Sequence, residues 1–159
     1  MNEDLQRARR VIAAVSLVDV RLVELHAKTT IRSEEVTEDM RPVFRHWATA
    51  PAGLKDGLFF VRANLDVRIE NDSNPSVAAI KIQYELKYRV PEDFKASRAD
   101  LAAFAKVNGV FNAWPYFREI VQTATLRMDL PPIVLPVYRV PQPAKATPSA
   151  TPAPSSISS

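Results

Sequence analysis

The side chains that do acid–base, nucleophilic or metal chemistry are sparse in this chain and poorly placed for it. Its 159 residues hold two histidines, His26 and His46, and no cysteine. No metal-ligand spacing joins the histidines, and without cysteine neither a thiolate site nor a disulfide framework can form. Glu34-Glu35 and Glu38-Asp39 are carboxylate pairs, but they fall in a charged connection whose default is solvated surface. Gly53, Gly57 and Gly109 are scattered, and no Gly-Lys-Ser/Thr occurs, so no phosphate-cradling loop is present. Ser16 and Ser33 lie in no nucleophile elbow. Arg7, Arg9 and Arg10 cluster near the start and read as a solvated helix face. The residues point away from an enzyme, and no cofactor or metal is expected.

What the chain concentrates instead is apolar surface. From Asn108 to Met128, four aromatics fall within seven residues: Phe111, Trp114, Tyr116 and Phe117. The stretch reads as a loop that turns into a helix. Asn112 is placed to cap it, and Pro115 falls in the first turn, where a missing N–H costs little. Along the helix, Trp114, Phe117, Val121, Ala124 and Met128 follow the spacing of one face, and Tyr116, Ile120 and Thr123 that of an adjacent one. That arc is wider than a single buried stripe. It needs cover on two sides, from a deep monomer core or from a second subunit.

Other elements must hold this helix. Glu3 to Ala14 suits a short helix. Val15 to Ile31 is strand-like: Val18, Val20 and Leu22 share one parity and Val23, Leu25 and Ala27 the other, so a bulge or bend is expected near Leu22. A long bent strand of this kind can pair with a neighbouring chain. Arg32 to Asp56 reads as a long connection containing a short helix or strand, with Phe44 and Trp47 folded back on the core and His46 in the loop. Leu58 to Glu70 and Val77 to Val90 are returning strands around an Asn71–Ser76 turn. Phe59, Val61, Ala63, Leu65, Val67 and Ile69 face the core from the first; Ala78, Ile80, Ile82, Tyr84, Leu86, Tyr88 and Val90 do so from the second. Their wet faces carry both signs of charge and no row of aromatics, which argues against a nucleic-acid platform. Ser97 and Asp100 resemble a capping box, and Asn108-Gly109 suits a left-handed helix end. Pro131 to Tyr138 is an extended apolar exit. Residues 139–159, almost all Pro, Ala, Ser and Thr, read as a disordered tail behind a domain of residues 1–138.

Asn112-Ala113-Trp114-Pro115-Tyr116-Phe117-Arg118-Glu119, with Arg127-Met128-Asp129-Leu130-Pro131-Pro132 and Leu135-Pro136-Val137, resembles the C-terminal part of SecB and SecB-like chaperones. The family pattern there is a Pro-aromatic-x-Arg-Glu helix start, a helix, then a Pro-rich apolar exit. The resemblance implies an α+β fold: an antiparallel sheet of three to four strands, a short helix and a long C-terminal helix. It implies an ATP-independent holding chaperone, a homotetramer built as a dimer of dimers. Client grooves would be lined by Phe111, Trp114, Tyr116, Phe117, Met128 and Leu130, and Ile120, Val121 and Ala124 would lie at an oligomer interface. Clients of the family are unfolded pre-secretory proteins or, for toxin–antitoxin relatives, an antitoxin. Two features depart from the pattern. The export chaperone is strongly acidic and docks the translocase motor through an acidic patch, whereas this chain carries 21 basic against 18 acidic residues, net +3. The further C-terminal helix of the export chaperone is missing or replaced. Motor docking is therefore not expected. A non-chaperone oligomeric interaction module is the alternative reading. With no signal segment and no apolar run of membrane-spanning length, the expected location is the cytoplasm, without membrane insertion.

Overall fold

The computed structural model describes residues 3–139. Helix α1 spans Glu3–Ile12, and four strands follow: β1 Ser16–Thr29, β2 Arg41–Thr49, β3 Leu58–Glu70 and β4 Ala78–Arg89. Two helices complete it, α2 Arg98–Phe104 and α3 Val110–Arg127. The strands form one antiparallel sheet in the order β1-β4-β3-β2, and α3 lies across one face, giving an α+β architecture.

The central hairpin forms as its alternation demands. Every core-facing residue expected on β3 and β4 is buried. The turn between them is held by Asn71, whose Oδ1 accepts from the amides of Ser73 (3.0 Å) and Asn74 (2.7 Å). Phe59 stacks on Tyr88 at 5.2 Å, and Phe104 meets both edge-on at 5.5 and 5.0 Å. Aromatic pairs of this kind add ~0.5–1.5 kcal/mol each beyond simple burial.

β1 carries the expected bulge: its register against β4 shifts between Leu22 and Glu24, and a second shift falls between Leu17 and Asp19. The extra residue at Val23 reverses the parity, so Leu22 and Leu25 both stand on the helix side, opposite Tyr84 and Ile82. β2 is the strand allowed for within the Arg32–Asp56 connection, and it is longer than expected. It pairs with β3 along its whole length, and its edge position tolerates Pro42. His46 is therefore on a strand, not in a loop. Phe44 and His46 stand opposite Val67 and Leu65 and face the helix, whereas Trp47, opposite Asn64, faces outward. Trp47 thus does not fold back on the core; strand parity sends it out, where the Arg45 guanidinium covers its ring at 4.7 Å. Asp56 (φ 53°) and Gly57 (φ 70°) turn the chain into β3, an Asp-Gly signal of the two-residue hairpin type.

The helical segment departs most from expectation. Asn108-Gly109 does not end a helix. α2 runs through a π turn, Ala105–Gly109, directly into α3, and Gly109 keeps a right-handed φ of −62°. The glycine answers to close approach instead: a Cβ there would lie 2.7 Å from Ala48 Cβ and 2.8 Å from Val61 Cγ1. Asn112 accordingly is not a cap. It sits inside α3, and its Nδ2 donates to Tyr88 Oη at 2.8 Å. Pro115 is also interior, and its ring removes the amide that would reach the Phe111 carbonyl. The Ser97–Asp100 capping box is present: Ser97 Oγ accepts from the Asp100 amide (3.2 Å), and Asp100 Oδ2 from the Ser97 amide (2.8 Å). Asp100 also receives Arg10 at 2.8 Å and Arg7 at 3.6 Å. Two members of the N-terminal arginine cluster therefore fasten α1 to α2. The C-terminus of α3 closes with a Schellman arrangement: Leu130 N donates to Thr125 O (3.0 Å), Asp129 N to Leu126 O (3.1 Å), and Asp129 holds φ 58°. The tail expected from residue 139 lies, from residue 140 on, outside the described residues.

Candidate functional site

α3 packs over only part of the sheet. Its buried face, Trp114, Phe117, Val121 and Ala124, presses on β2, β3 and β4. β1 is not among the strands it packs on. The helix consequently has two unlike flanks.

On the β1 flank the sheet is uncovered. Leu17, Leu22 and Leu25 stand opposite the core residues Tyr88, Tyr84 and Ile82 and so point to the helix side, yet each remains exposed. Tyr116 projects from α3 above this strip, its ring 5.6 Å from that of Tyr84, and is 41% exposed. Ile120 continues the line, half-buried. Beyond them is the outer edge of β1, fourteen residues long, which pairs with no strand among the described residues.

The β2 flank is closed by the chain's own exit segment. Phe44 and His46 rise from β2, and Phe111 and Trp114 from α3. Into the slot between them comes Tyr138, whose ring lies 5.1 Å from Trp114, 5.3 Å from His46 and 6.3 Å from Phe111. Trp114 itself meets His46 at 5.5 Å and Phe44 at 6.3 Å. Trp114 Nε1 donates to the Pro136 carbonyl at 2.7 Å. Burial pushes the His46 imidazole below its ordinary value and the Tyr138 phenol above its own.

The residues singled out in the sequence divide accordingly. Trp114, Phe117 and Leu130 are buried within the protomer, as are Val121 and Ala124. Met128 and Ile120 are partly covered. Only Phe111, 48% exposed, and Tyr116 present large apolar surface outward. The β1 leucines, His46 and Tyr138 were not expected to form part of a binding surface. The parity switch in β1 was the signal for the leucines; nothing local marks His46 or Tyr138.

The outer face of the sheet is polar. Arg21 and Arg62 converge on Glu85 (2.8 and 3.6 Å), Arg45 meets Asp66 (3.3 Å) and Arg41 meets Glu70 (3.2 Å). Lys28, Arg68, Lys81, Lys87 and Arg89 add positive charge to the same face by strand parity, so it is net cationic. A polar depression beside Arg10, Ser97 and Asp100 is walled in part by the network that holds α1 to α2. Among the described residues no group of His, Asp and Glu gathers as a metal site, and no helix is long and apolar enough to cross a membrane.

No model of a known protein family matches the chain, and no curated protein sequence does. Among solved structures it is similar to the SecB-like chaperone of Mycobacterium tuberculosis, in complex with a ChAD peptide from the HigA1 antitoxin. The TM-score is 0.73 at 22% identity, over 86% of this chain and 99% of that one. A protein of unknown function from Streptococcus agalactiae matches with a TM-score of 0.46 at 12% identity, over 77% of this chain and 96% of that one. The first likeness is one of fold: the chain has the SecB-like architecture.

Proposed function

We propose that the protein is an ATP-independent holding chaperone that works as an oligomer, a homotetramer in the manner of a dimer of dimers. The observation that carries this reading is the apolar surface left over once the protomer has folded. Leu17, Leu22, Leu25, Tyr116 and Phe111 are all well exposed, on a fold shared with a chaperone solved with a bound peptide. Isolated exposed leucines mean little, but a contiguous apolar strip beside an open strand edge marks an interaction surface.

The two flanks suit two tasks. The β1 flank, with its free edge, Tyr116 and Ile120, is open and apolar and suits a second copy. The Phe111–Trp114 flank is a narrow aromatic slot and suits an extended client. Burial at about 25 cal/mol per Å² would bind many sequences weakly, and several such sites on one oligomer would add avidity. The client class is an unfolded or aggregation-prone polypeptide. The cationic outer sheet face favours an antitoxin-type client over export by way of an acid-mediated motor contact.

The test combines light scattering with suppression of aggregation of a reduced, unfolded protein. A tetramer that suppresses aggregation at near-stoichiometric ratio is expected. Phe111→Ala is expected to weaken client holding without loss of fold, and Tyr116→Ala to weaken assembly. Phe117→Ala is a poor probe, because a fully buried phenylalanine costs ~3–5 kcal/mol when truncated and its loss would report unfolding. An oligomer without effect on several clients would leave only an interaction module; a monomer without effect would refute the proposal.

A further inference from the structure

The slot between β2 and α3 already holds a peptide. Residues 131–138 run through it with no regular secondary structure and with prolines at 131, 132 and 136. Ile133, Leu135 and Tyr138 turn inward, Leu135 being 1% exposed, while Val134 is 60% and Val137 73% exposed. Two hydrogen bonds fix the segment. Trp114 Nε1 donates to the Pro136 carbonyl, and the Ile133 amide donates to Thr125 Oγ1 at 3.1 Å. Both partners on the segment are backbone atoms, so both bonds are open to any extended chain. An aromatic-walled groove with an indole N–H aimed at a carbonyl is the general way that extended, proline-bearing segments are recognised, because proline leaves the carbonyl free and pre-sets the backbone.

We propose that this slot is a binding site for extended, proline-bearing polypeptide, that residues 131–138 are its resident ligand, and that a client binds there by displacing them. The second half rests on the holding-chaperone reading; the first does not. Release uncovers Leu135, a fully buried side chain of the main core, so the incoming chain must refill that place. The segment follows the helix end at Asp129, whose left-handed turn already breaks the helical direction, and no strand pairs with it. On release Thr125 gives up the bond it accepts from Ile133 but keeps those its hydroxyl donates within α3 to the Val121 and Gln122 carbonyls at 3.0 Å. The tether makes the segment a competitor of high effective concentration, which lowers the apparent affinity of anything entering from outside by the fraction of time the slot is open.

The experiment uses the full chain, its Tyr138→Ala variant, and a fluorescent peptide of the sequence of residues 131–139. Tyr138→Ala weakens the tethered segment but leaves the slot intact. It is expected to bind the free peptide about three- to tenfold more tightly than the parent. Adding Trp114→Phe, which keeps a ring but removes the indole N–H, is expected to reverse that gain. In parallel, hydrogen exchange is followed at Ile133 and its neighbours while reduced, carboxymethylated α-lactalbumin is added. Their exchange is expected to quicken at saturation while β3 and β4 stay protected. If folded Tyr138→Ala binds the peptide no better than the parent, the slot is not a peptide site and the inference is overturned. If the peptide binds as expected and the unfolded protein binds but leaves exchange at Ile133 unchanged, displacement is overturned. If the unfolded protein binds neither variant, the holding reading fails while the peptide result still decides the slot.

Discussion

Gly109→Ala separates two physical effects of opposite sign. The residue has a helical backbone, φ −62°. Propensity alone therefore favours alanine by ~0.5–1 kcal/mol. Packing opposes it. The added Cβ would stand 2.7 Å from Ala48 Cβ and 2.8 Å from Val61 Cγ1, where carbon atoms rest at ~3.5–4.0 Å. Neither neighbour is the loose end of a long side chain: one methyl is fixed to the β2 backbone, and the other belongs to a buried β-branched residue with a stiff χ1. The helix would have to rise off the sheet, and overpacking of this kind costs ~1–3 kcal/mol. The net expectation is a loss of about 1–2 kcal/mol, or a fall in Tm of about 3–6 °C. Thermal and urea unfolding by circular dichroism measure it, at fixed protomer concentration because association would move the midpoint. Gly53→Ala is the control: its nearest atoms are Arg98 Cγ and Nε at 3.9 Å, so little change is expected. Ala48→Gly in the Gly109→Ala background should restore part of the loss. A Gly109→Ala protein that melts at or above the parent would mean that the helix does not touch the sheet here, and the close-approach argument would fall.

Three further expectations concern single contacts. Burial pushes the Tyr88 phenol up to about 12 despite the Asn112 bond, so the hydroxyl stays neutral and needs its partner. Asn112→Leu should cost ~1–3 kcal/mol in urea unfolding, and adding Tyr88→Phe should recover most of it; equal losses in the single and double variants would deny the bond. Burial raises the Asp100 carboxyl, but the Ser97 bonds and then the charges of Arg10 and Arg7 outweigh it and hold the group below its ordinary value. A depressed carboxyl contributes stability that is present above its unfolded value, near pH 4, and lost as pH falls through the folded one. Asp100→Asn should therefore cost ~1 kcal/mol at neutral pH, with the gap to the parent closing below about pH 4 in a series of urea midpoints; a gap independent of pH would refute the charge argument. At Asp129, φ 58° admits glycine or aspartate but not a β-branched side chain. Asp129→Gly should be neutral or better and Asp129→Val should lose ~1–2 kcal/mol, an order that the same midpoints check.

Strand alternation and helical spacing are local properties, and through them much of this protein was legible in its residues. The core faces of β3 and β4, the turn at Asn71, the capping box at Ser97, the buried face of α3 and the bulge near Leu22 all follow from side chains within a few positions of each other. What escaped is what depends on contact between distant segments. Gly109 looked like a helix end because a glycine beside an asparagine usually is one; only the approach of Ala48 and Val61 explains it. Asn112 and Pro115 looked like helix-start residues, and only continuity through the π turn puts them inside. Which apolar residues remain exposed is likewise undecidable from periodicity, since Phe117 and Tyr116 are neighbours of similar type. The placement of α3 on the assembled sheet settles it: α3 packs on β2, β3 and β4 and not on β1, which leaves one flank bare, while the exit segment fills the other.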